Sequence, residues 1–214
     1  MVDILISGPE GKIEAKYHHN NDKNSPIVLV LHPNSSKGGS MKSKIVFQLY
    51  KIFIQNGFST IRFNFRGVGK SEGVFDDGEG GLSDAASVLD WLQQHNSNSK
   101  ICWVAGFSFG AWVSMQLLMR RPEINGFTCI SPPANLRDFS FLAPCPSSGL
   151  IVHGDKDNLA SFESSRILSE KLQKQKKVNI TFKAIKGADH FYENHKSEFI
   201  TLVNNYINKK LNYN

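Results

Sequence analysis

Apolar and polar positions along the chain fall into blocks that predict strands and helices in turn. Residues 27–31 read Ile-Val-Leu-Val-Leu, a continuous aliphatic run of the kind that a buried parallel strand requires. In residues 42–56 the apolar positions recur with helical spacing, and Gly57 can end that helix. Before them, the turn sequence Gly-Pro-Glu-Gly separates residues 4–7 from residues 12–18, which predicts a pair of antiparallel strands.

The same alternation continues to the C-terminus. Further strands are predicted over residues 59–65, 100–106, 126–130, 150–153 and 178–185. Helices are predicted between them, one of them capped by Ser83 and the others over residues 109–119, 160–175 and 198–208. Parallel strands need crossover helices of this length. We therefore predict one three-layer α/β/α sandwich domain over residues 1–214, with a mostly parallel sheet and antiparallel N-terminal strands.

Length and charge narrow the class of protein. A chain of 214 residues fits one domain, or at most two small ones, and its 25 basic and 19 acidic residues give a net charge of +6. The densest lysine cluster, in residues 171–177, is typical of a solvated helix surface, and it lacks the interleaved aromatic residues of a nucleic-acid site. The chain has neither a long apolar run nor a secretory signal, so we expect a cytoplasmic protein that binds neither nucleic acid nor membrane.

The strongest chemical signal is the pentapeptide Gly-Phe-Ser-Phe-Gly at residues 106–110, between a predicted strand and a predicted helix. So abrupt a turn strains its central residue and leaves no space for side chains two positions away, which accounts for Gly106 and Gly110. It also lifts the Ser108 hydroxyl clear of the sheet, beside the N-terminus of the next helix. We interpret the segment as a nucleophile elbow with Ser108 as the nucleophile, and not as an ordinary glycine-rich turn.

A serine nucleophile needs a base, and that base needs an orienting acid. His190 follows the last predicted strand, at the carboxyl edge of the sheet, whereas its rival His153 ends the preceding strand. Asp155 and Asp157 both lie in the loop after that preceding strand, and spacing alone does not separate them as the acid. Asp189 is adjacent to His190 in sequence, so the two side chains are poorly placed to face each other.

The developing oxyanion needs two backbone N–H donors. Phe109 supplies one, because it follows the nucleophile directly. The loop after residues 27–31 should supply the other, and since Pro33 has no N–H group the donor is Asn34 or a neighbour.

Four motifs together resemble the α/β-hydrolase family over nearly the whole chain. They are His-Pro-Asn at 32–34 with Gly-Gly-Ser at 38–40, the glycine-rich stretch 62–73, the serine elbow, and His-Gly-Asp-Lys-Asp at 153–157 followed by Asp-His at 189–190. The chain is most similar to the small, lidless bacterial branch close to dienelactone-hydrolase-like and acyl-peptidase-like serine hydrolases. The resemblance implies a hydrolase fold without a lid domain, and it favours Asp157 over Asp155 as the acid of the triad.

The resemblance and the expected geometry imply acyl transfer to water, with Ser108, His190 and Asp157 as the catalytic triad and Phe109 and Asn34 as the oxyanion hole. The expected substrate is a small-molecule ester or thioester with a small to medium acyl group, and the reaction needs no metal, nucleotide or organic cofactor. A peptidase or amidase of the same fold and a non-catalytic binding protein are the alternatives. An N-terminal edge strand could pair with a second copy, so a homodimer stays open.

Access to the site depends on the segment between the predicted strands 126–130 and 150–153. Residues 131–149 are too few for the lid domain that many relatives insert there. We expect Phe139, Phe141 and Leu142 either to wall the site or to pack the loop onto the core. An open, partly aromatic cleft would favour small or medium acyl groups.

Overall fold

A computed structural model describes residues 2–212 of the chain. Its strands are β1 (Val2–Gly8), β2 (Gly11–His18), β3 (Ile27–Leu31), β4 (Ser59–Phe63), β5 (Cys102–Phe107), β6 (Ile124–Ile130), β7 (Gly149–Gly154) and β8 (Ile180–Ile185). Its α-helices are α1 (Lys44–Gln55), α2 (Glu79–Gln94), α3 (Phe109–Arg120), α4 (Phe162–Gln173) and α5 (Lys196–Leu211).

The strands form one eight-stranded sheet in the order β1-β2-β4-β3-β5-β6-β7-β8. β2 pairs antiparallel with both β1 and β4, and every other pair is parallel. Apolar residues of α1 and α5 pack on one face, and those of α2, α3 and α4 pack on the other. The predicted three-layer architecture, with its mostly parallel sheet and antiparallel N-terminal strands, is confirmed.

Helix α2 begins earlier than the predicted cap at Ser83. The carboxylate of Asp76 accepts hydrogen bonds from the backbone N–H groups of Gly78 and Gly80, at 3.3 and 2.7 Å. Because these bonds satisfy the exposed donors of the first turn, the helix can start at Glu79. Ser83 lies inside the helix, where its hydroxyl donates to the Glu79 carbonyl, so the prediction that Ser83 caps the helix is wrong.

The connection between β6 and β7 leaves the carboxyl edge of the sheet open. It contains one short 3-10 helix, Ser140–Leu142, and no inserted lid domain. Among residues 2–212, no helix combines the length and the apolar character needed to cross a bilayer.

Candidate active site

Ser108 occupies a strained turn between β5 and α3. Its backbone has φ 54° and ψ −118°, a left-handed φ that is uncommon for a residue with a side chain. The Ser108 N–H donates to the Ile130 carbonyl at 2.9 Å, and its own carbonyl accepts from Ala111 at the start of the helix. The strain is therefore held in place by backbone hydrogen bonds on both sides, as a nucleophile elbow requires.

The two glycines of the elbow stand where the chain leaves no space for a Cβ atom. A Cβ on Gly106 would lie 2.3 Å from the carbonyl oxygen of Gly110. A Cβ on Gly110 would lie 2.5 Å from the carbonyl oxygens of Leu31 and His32, in the neighbouring strand and loop. The obstructing atoms are backbone, which cannot easily move, so the predicted reason for both glycines is confirmed.

His190 and Asp157 form a close buried pair. The Nδ1 atom of His190 lies 2.7 Å from Oδ2 of Asp157, whose side chain is fully buried. A carboxylate can only accept, so Nδ1 carries the hydrogen, and in the neutral ring Nε2 is left as the basic nitrogen. The ring packs on Phe107, with centroids 4.9 Å apart, so its plane is fixed by contacts as well as by the hydrogen bond.

Asp157 receives hydrogen-bond donors at both of its oxygens. Oδ1 accepts from the N–H groups of Leu159 and Ala160, each at 2.8 Å, and Oδ2 faces His190. Burial by itself would raise the pKa of Asp157, but hydrogen bonds from His153, His190 and the Ala160 N–H outweigh it and lower that pKa. Asp157 is therefore held as a carboxylate in a fixed orientation.

His153 has a role that the sequence analysis missed. Its fully buried ring places Nε2 3.1 Å from the Ala160 carbonyl and 3.2 Å from Oδ2 of Asp157. Both neighbours are acceptors, so Nε2 carries a hydrogen shared between them. The four-residue spacing of His153 and Asp157 across a turn was the available signal. His153 does not line the cavity into which Ser108 opens, and its contact with Asp157 braces that carboxylate.

The other two acidic candidates bind loop backbone. Oδ1 of Asp155 accepts from the Gly187 N–H at 2.6 Å, which braces the turn before His190. Oδ1 of Asp189 accepts from the Glu193 N–H at 3.1 Å. Neither side chain has a hydrogen bond to His190 in the described residues, which agrees with the expectation that Asp189 and His190 do not face each other.

The loop that carries Asn34 is fixed by His32. The Phe65 N–H donates to Nε2 of His32 at 3.0 Å, and Nδ1 of the same ring donates to the Pro33 carbonyl at 2.7 Å. Burial lowers the pKa of His32 to about 4, so the ring is neutral at pH 7 and this pattern of bonds is maintained. Within residues 2–212, neither the Asn34 nor the Phe109 backbone N–H donates a hydrogen bond, which leaves both groups available.

The five predicted site residues come together at one cavity, whose volume is about 730 Å³. Ser108, His190, Phe109 and Asn34 line it, and Asp157 lies directly behind His190. Its other lining residues are largely apolar and come from the loops after β3, β4, β6, β7 and β8. No group of three or more His, Cys, Asp or Glu side chains in the described part of the chain is arranged to hold a metal ion.

The segment after β6 lines the cavity with residues other than Phe139, Phe141 and Leu142, which take the alternative role of packing the loop onto the core. Phe139, Phe141 and Leu142 do not line the Ser108 cavity, and Phe139 and Leu142 are buried in the core beneath the loop. Pro133, Leu136 and Arg137 line the cavity instead. The reason is amphipathic packing: the larger apolar side chains of the segment turn inward, which leaves its earlier residues at the rim.

Arg137 is a second feature that sequence reasoning missed. Its guanidinium lies over the ring of Trp112, 4.8 Å from the centroid, and pairs with Asp77 at 2.5 Å. Both Arg137 and Asp77 line the Ser108 cavity, so the pair joins two loops across its mouth.

The chain matches one family model and several solved structures. The model of the family described as X-Pro dipeptidyl-peptidase (S15 family) matches residues 11–204. A crystal structure of a protein of unknown function from Agrobacterium tumefaciens is 50% identical, with a TM-score of 0.96, and the match covers 99% of this chain and 97% of that one.

Two further relatives are described by the class of enzyme to which they belong. A protein from Xanthomonas campestris, described as an α/β serine hydrolase without a lid, is 28% identical with a TM-score of 0.85, covering 97% of this chain and 94% of that one. A lysophosphatidylserine lipase of Rattus norvegicus is 27% identical over 198 residues, 74% of this chain, and this chain spans about half (48%) of the lipase's length. The chain belongs to the α/β hydrolases, in the family described as X-Pro dipeptidyl-peptidase (S15 family).

Proposed function

We propose that the protein is a serine hydrolase that cleaves carboxylic ester or thioester bonds of small to medium acyl groups. One observation carries this proposal. Ser108, on a strained elbow, opens into the same cavity as His190, whose far nitrogen is 2.7 Å from the buried carboxylate of Asp157. A nucleophile, a base and an orienting acid in this relation are the arrangement that acyl transfer needs.

The mechanism begins with attack of the Ser108 hydroxyl oxygen on the substrate carbonyl. Nε2 of His190 takes the hydroxyl proton, and Asp157 stabilises the imidazolium that forms. The free N–H groups of Phe109 and Asn34 stabilise the negative oxygen of the tetrahedral intermediate. His190 then returns the proton to the departing alcohol or thiol, which leaves an acyl group on Ser108. Water repeats the sequence on the acyl-enzyme and releases the acid.

The charges around the cavity favour an ester substrate over a peptide from which an N-terminal dipeptide is cleaved. A dipeptidyl-peptidase must receive the ammonium group of its substrate, and an unpaired carboxylate would suit that task. Asp77 is the acidic residue that lines the cavity, and its carboxylate already pairs with Arg137. The lipase relative is described as acting on a lipid, which is in keeping with ester cleavage.

Peptide-bond cleavage is the second candidate, because the family model that matches residues 11–204 is described as a dipeptidyl-peptidase. The same triad would serve, with an amine as the leaving group in place of an alcohol. The two candidates differ in the leaving group, and matched substrates separate them.

The test compares p-nitrophenyl butyrate with the p-nitroanilide of butyric acid and with glycyl-prolyl-p-nitroanilide. We expect rapid turnover of the ester and far slower turnover of both anilides. Ser108→Ala should abolish ester turnover, whereas Ser83→Ala, a matched change on the exposed side of α2, should leave it unchanged. Preferential cleavage of the glycyl-prolyl substrate would show that the peptidase candidate is the correct one.

A further inference from the structure

A second cavity lies beside the antiparallel end of the sheet, apart from the Ser108 cavity. Its volume is about 640 Å³, within the range of small-molecule sites, and no residue lines both cavities. Most of its lining is charged, with four cations and two carboxylates: Lys16, Lys42, Arg62, Lys70, Asp3 and Glu14.

The cavity follows from the alternation of side chains on β1, β2 and β4. On one face of these strands, apolar residues such as Ile13, Ala15 and Ile61 enter the core. The alternate positions, among them Glu14, Lys16 and Arg62, point to the opposite face. Helix α1 packs over β3, β4 and β5 on that face, so the part of the sheet beyond β4 is left as a charged recess beside the helix.

Arg62 is the central group of this recess. Its side chain is 94% buried, and no carboxylate lies within 4 Å of it in the described residues. The guanidinium lies 4.9 Å from the ring centroids of both Phe47 and Tyr50. One terminal nitrogen donates to the Met41 carbonyl, and Nε has no hydrogen-bond partner. A buried cation that lines a cavity and has no carboxylate partner is a feature that a bound anion would complete.

The charges around Arg62 specify the anion. Asp3 pairs with Lys16 at 3.1 Å, and Glu14 accepts hydrogen bonds from the Lys70 backbone N–H and the Asn64 side chain. Four cations against two carboxylates leave the recess with a net charge of +2. A doubly charged oxyanion neutralises it, and the planar fork of a guanidinium suits a phosphate group.

We propose that this basic recess binds a small molecule that carries a phosphate group, with Arg62 as the buried anchor and Lys42 and Lys70 at the mouth. The volume exceeds that of inorganic phosphate alone, so an organic phosphomonoester fills it better. The proposal does not depend on the reaction at Ser108.

The experiment measures binding by calorimetry and by thermal shift, with inorganic phosphate and with sn-glycerol 3-phosphate, at ionic strength matched with sodium chloride. The informative variant is Lys42→Gln with Lys70→Gln, because both side chains are exposed and their loss should not affect folding. Its matched control, Lys100→Gln with Lys209→Gln, makes the same charge change at exposed positions outside the cavity. Arg62→Met tests the anchor directly.

We expect saturable binding of both probes, tighter for the phosphomonoester, with a rise in melting temperature beyond the effect of chloride. The Lys42/Lys70 double variant should weaken it about tenfold or more, and the Lys100/Lys209 control should bind as the unaltered protein does. Ester hydrolysis should be the same in both double variants, since neither touches the Ser108 cavity. The proposal would be overturned if the two phosphate probes bind no more strongly than chloride does. It would also be overturned if the Lys100/Lys209 control loses as much affinity as the Lys42/Lys70 variant.

Discussion

At the scale of single residues, the group that orients His190 is the carboxylate of Asp157, 2.7 Å from its Nδ1 atom. Asp155 lies in the same loop and accepts from the Gly187 N–H instead. Exchange of each acid for its amide therefore tests the assignment of Asp157.

Asp157→Asn removes the negative charge beside His190 and favours the wrong tautomer, so kcat for ester hydrolysis should fall about 10³- to 10⁴-fold. Asp155→Asn keeps the oxygen that accepts from Gly187, and its kcat should stay close to that of the unaltered protein. If Asp155→Asn alone loses activity, Asp155 is the acid and the assignment is wrong.

Ser108 and His190 could be selected from the sequence because each follows a strand at the carboxyl edge of the sheet. Asp155 and Asp157 lie in the same loop, and the direction of a side chain in a turn depends on backbone angles that spacing does not reveal. The contact of His153 with Asp157 was missed for the same reason.

At the scale of elements, the periodicity of apolar residues predicted every strand, because a buried strand and an amphipathic helix leave distinct patterns. The ends of elements were less accurate, since they depend on particular hydrogen bonds. Helix α2 illustrates this, because Asp76 satisfies its first N–H groups from outside the helix and moves its start to Glu79.

The loop after β3 should make folding stability depend on pH. Burial lowers the pKa of His32 from 6.5 to about 4, so below pH 6.5 the unfolded chain binds a proton that the folded protein does not. The stability from this group is fully present above pH 6.5 and is lost as the pH falls toward 4, by an amount on the order of 3 kcal/mol.

The contribution of His32 to the free energy of unfolding can be measured by urea unfolding at pH 7 and pH 4.5. The unaltered protein is compared with His32→Gln. We expect the free energy of unfolding to fall less steeply with pH in the variant, whose side chain does not titrate. Asp157, whose pKa is also lowered, contributes only in more acid solution. If the free energy of unfolding depends equally on pH in the two proteins, His32 does not supply this pH dependence.

At the scale of the whole molecule, the three-layer order could be predicted because alternating strands and helices have few ways to pack. The walls of the cavity could not be predicted from the sequence, because they are formed by loops from distant parts of the chain. Of the two roles expected for Phe139, Phe141 and Leu142, packing of the loop onto the core is the one observed. Leu136, Leu159 and Phe191 remain largely exposed at the rim.

Because the cavity is open and has no lid, we expect kcat/KM to rise with acyl chain length only up to a limit. Each methylene buried in the cavity should raise kcat/KM about fourfold, from roughly 0.8 kcal/mol of transfer free energy. Once the chain extends past the rim residues, further methylenes stay in water and the gain should cease. Measurement of kcat/KM for p-nitrophenyl esters from acetate to palmitate tests this. A steady rise through the longest chains would contradict the open cavity.

The most direct test of the central claim is covalent labelling by a fluorophosphonate probe, which reacts with an activated serine and does not require the natural substrate. We expect the probe to label the unaltered protein and Ser83→Ala at neutral pH but not Ser108→Ala, and we expect mass spectrometry to find the adduct on Ser108. An unaltered protein that does not react, or a Ser108→Ala variant that still does, would contradict the assignment of Ser108 as the nucleophile.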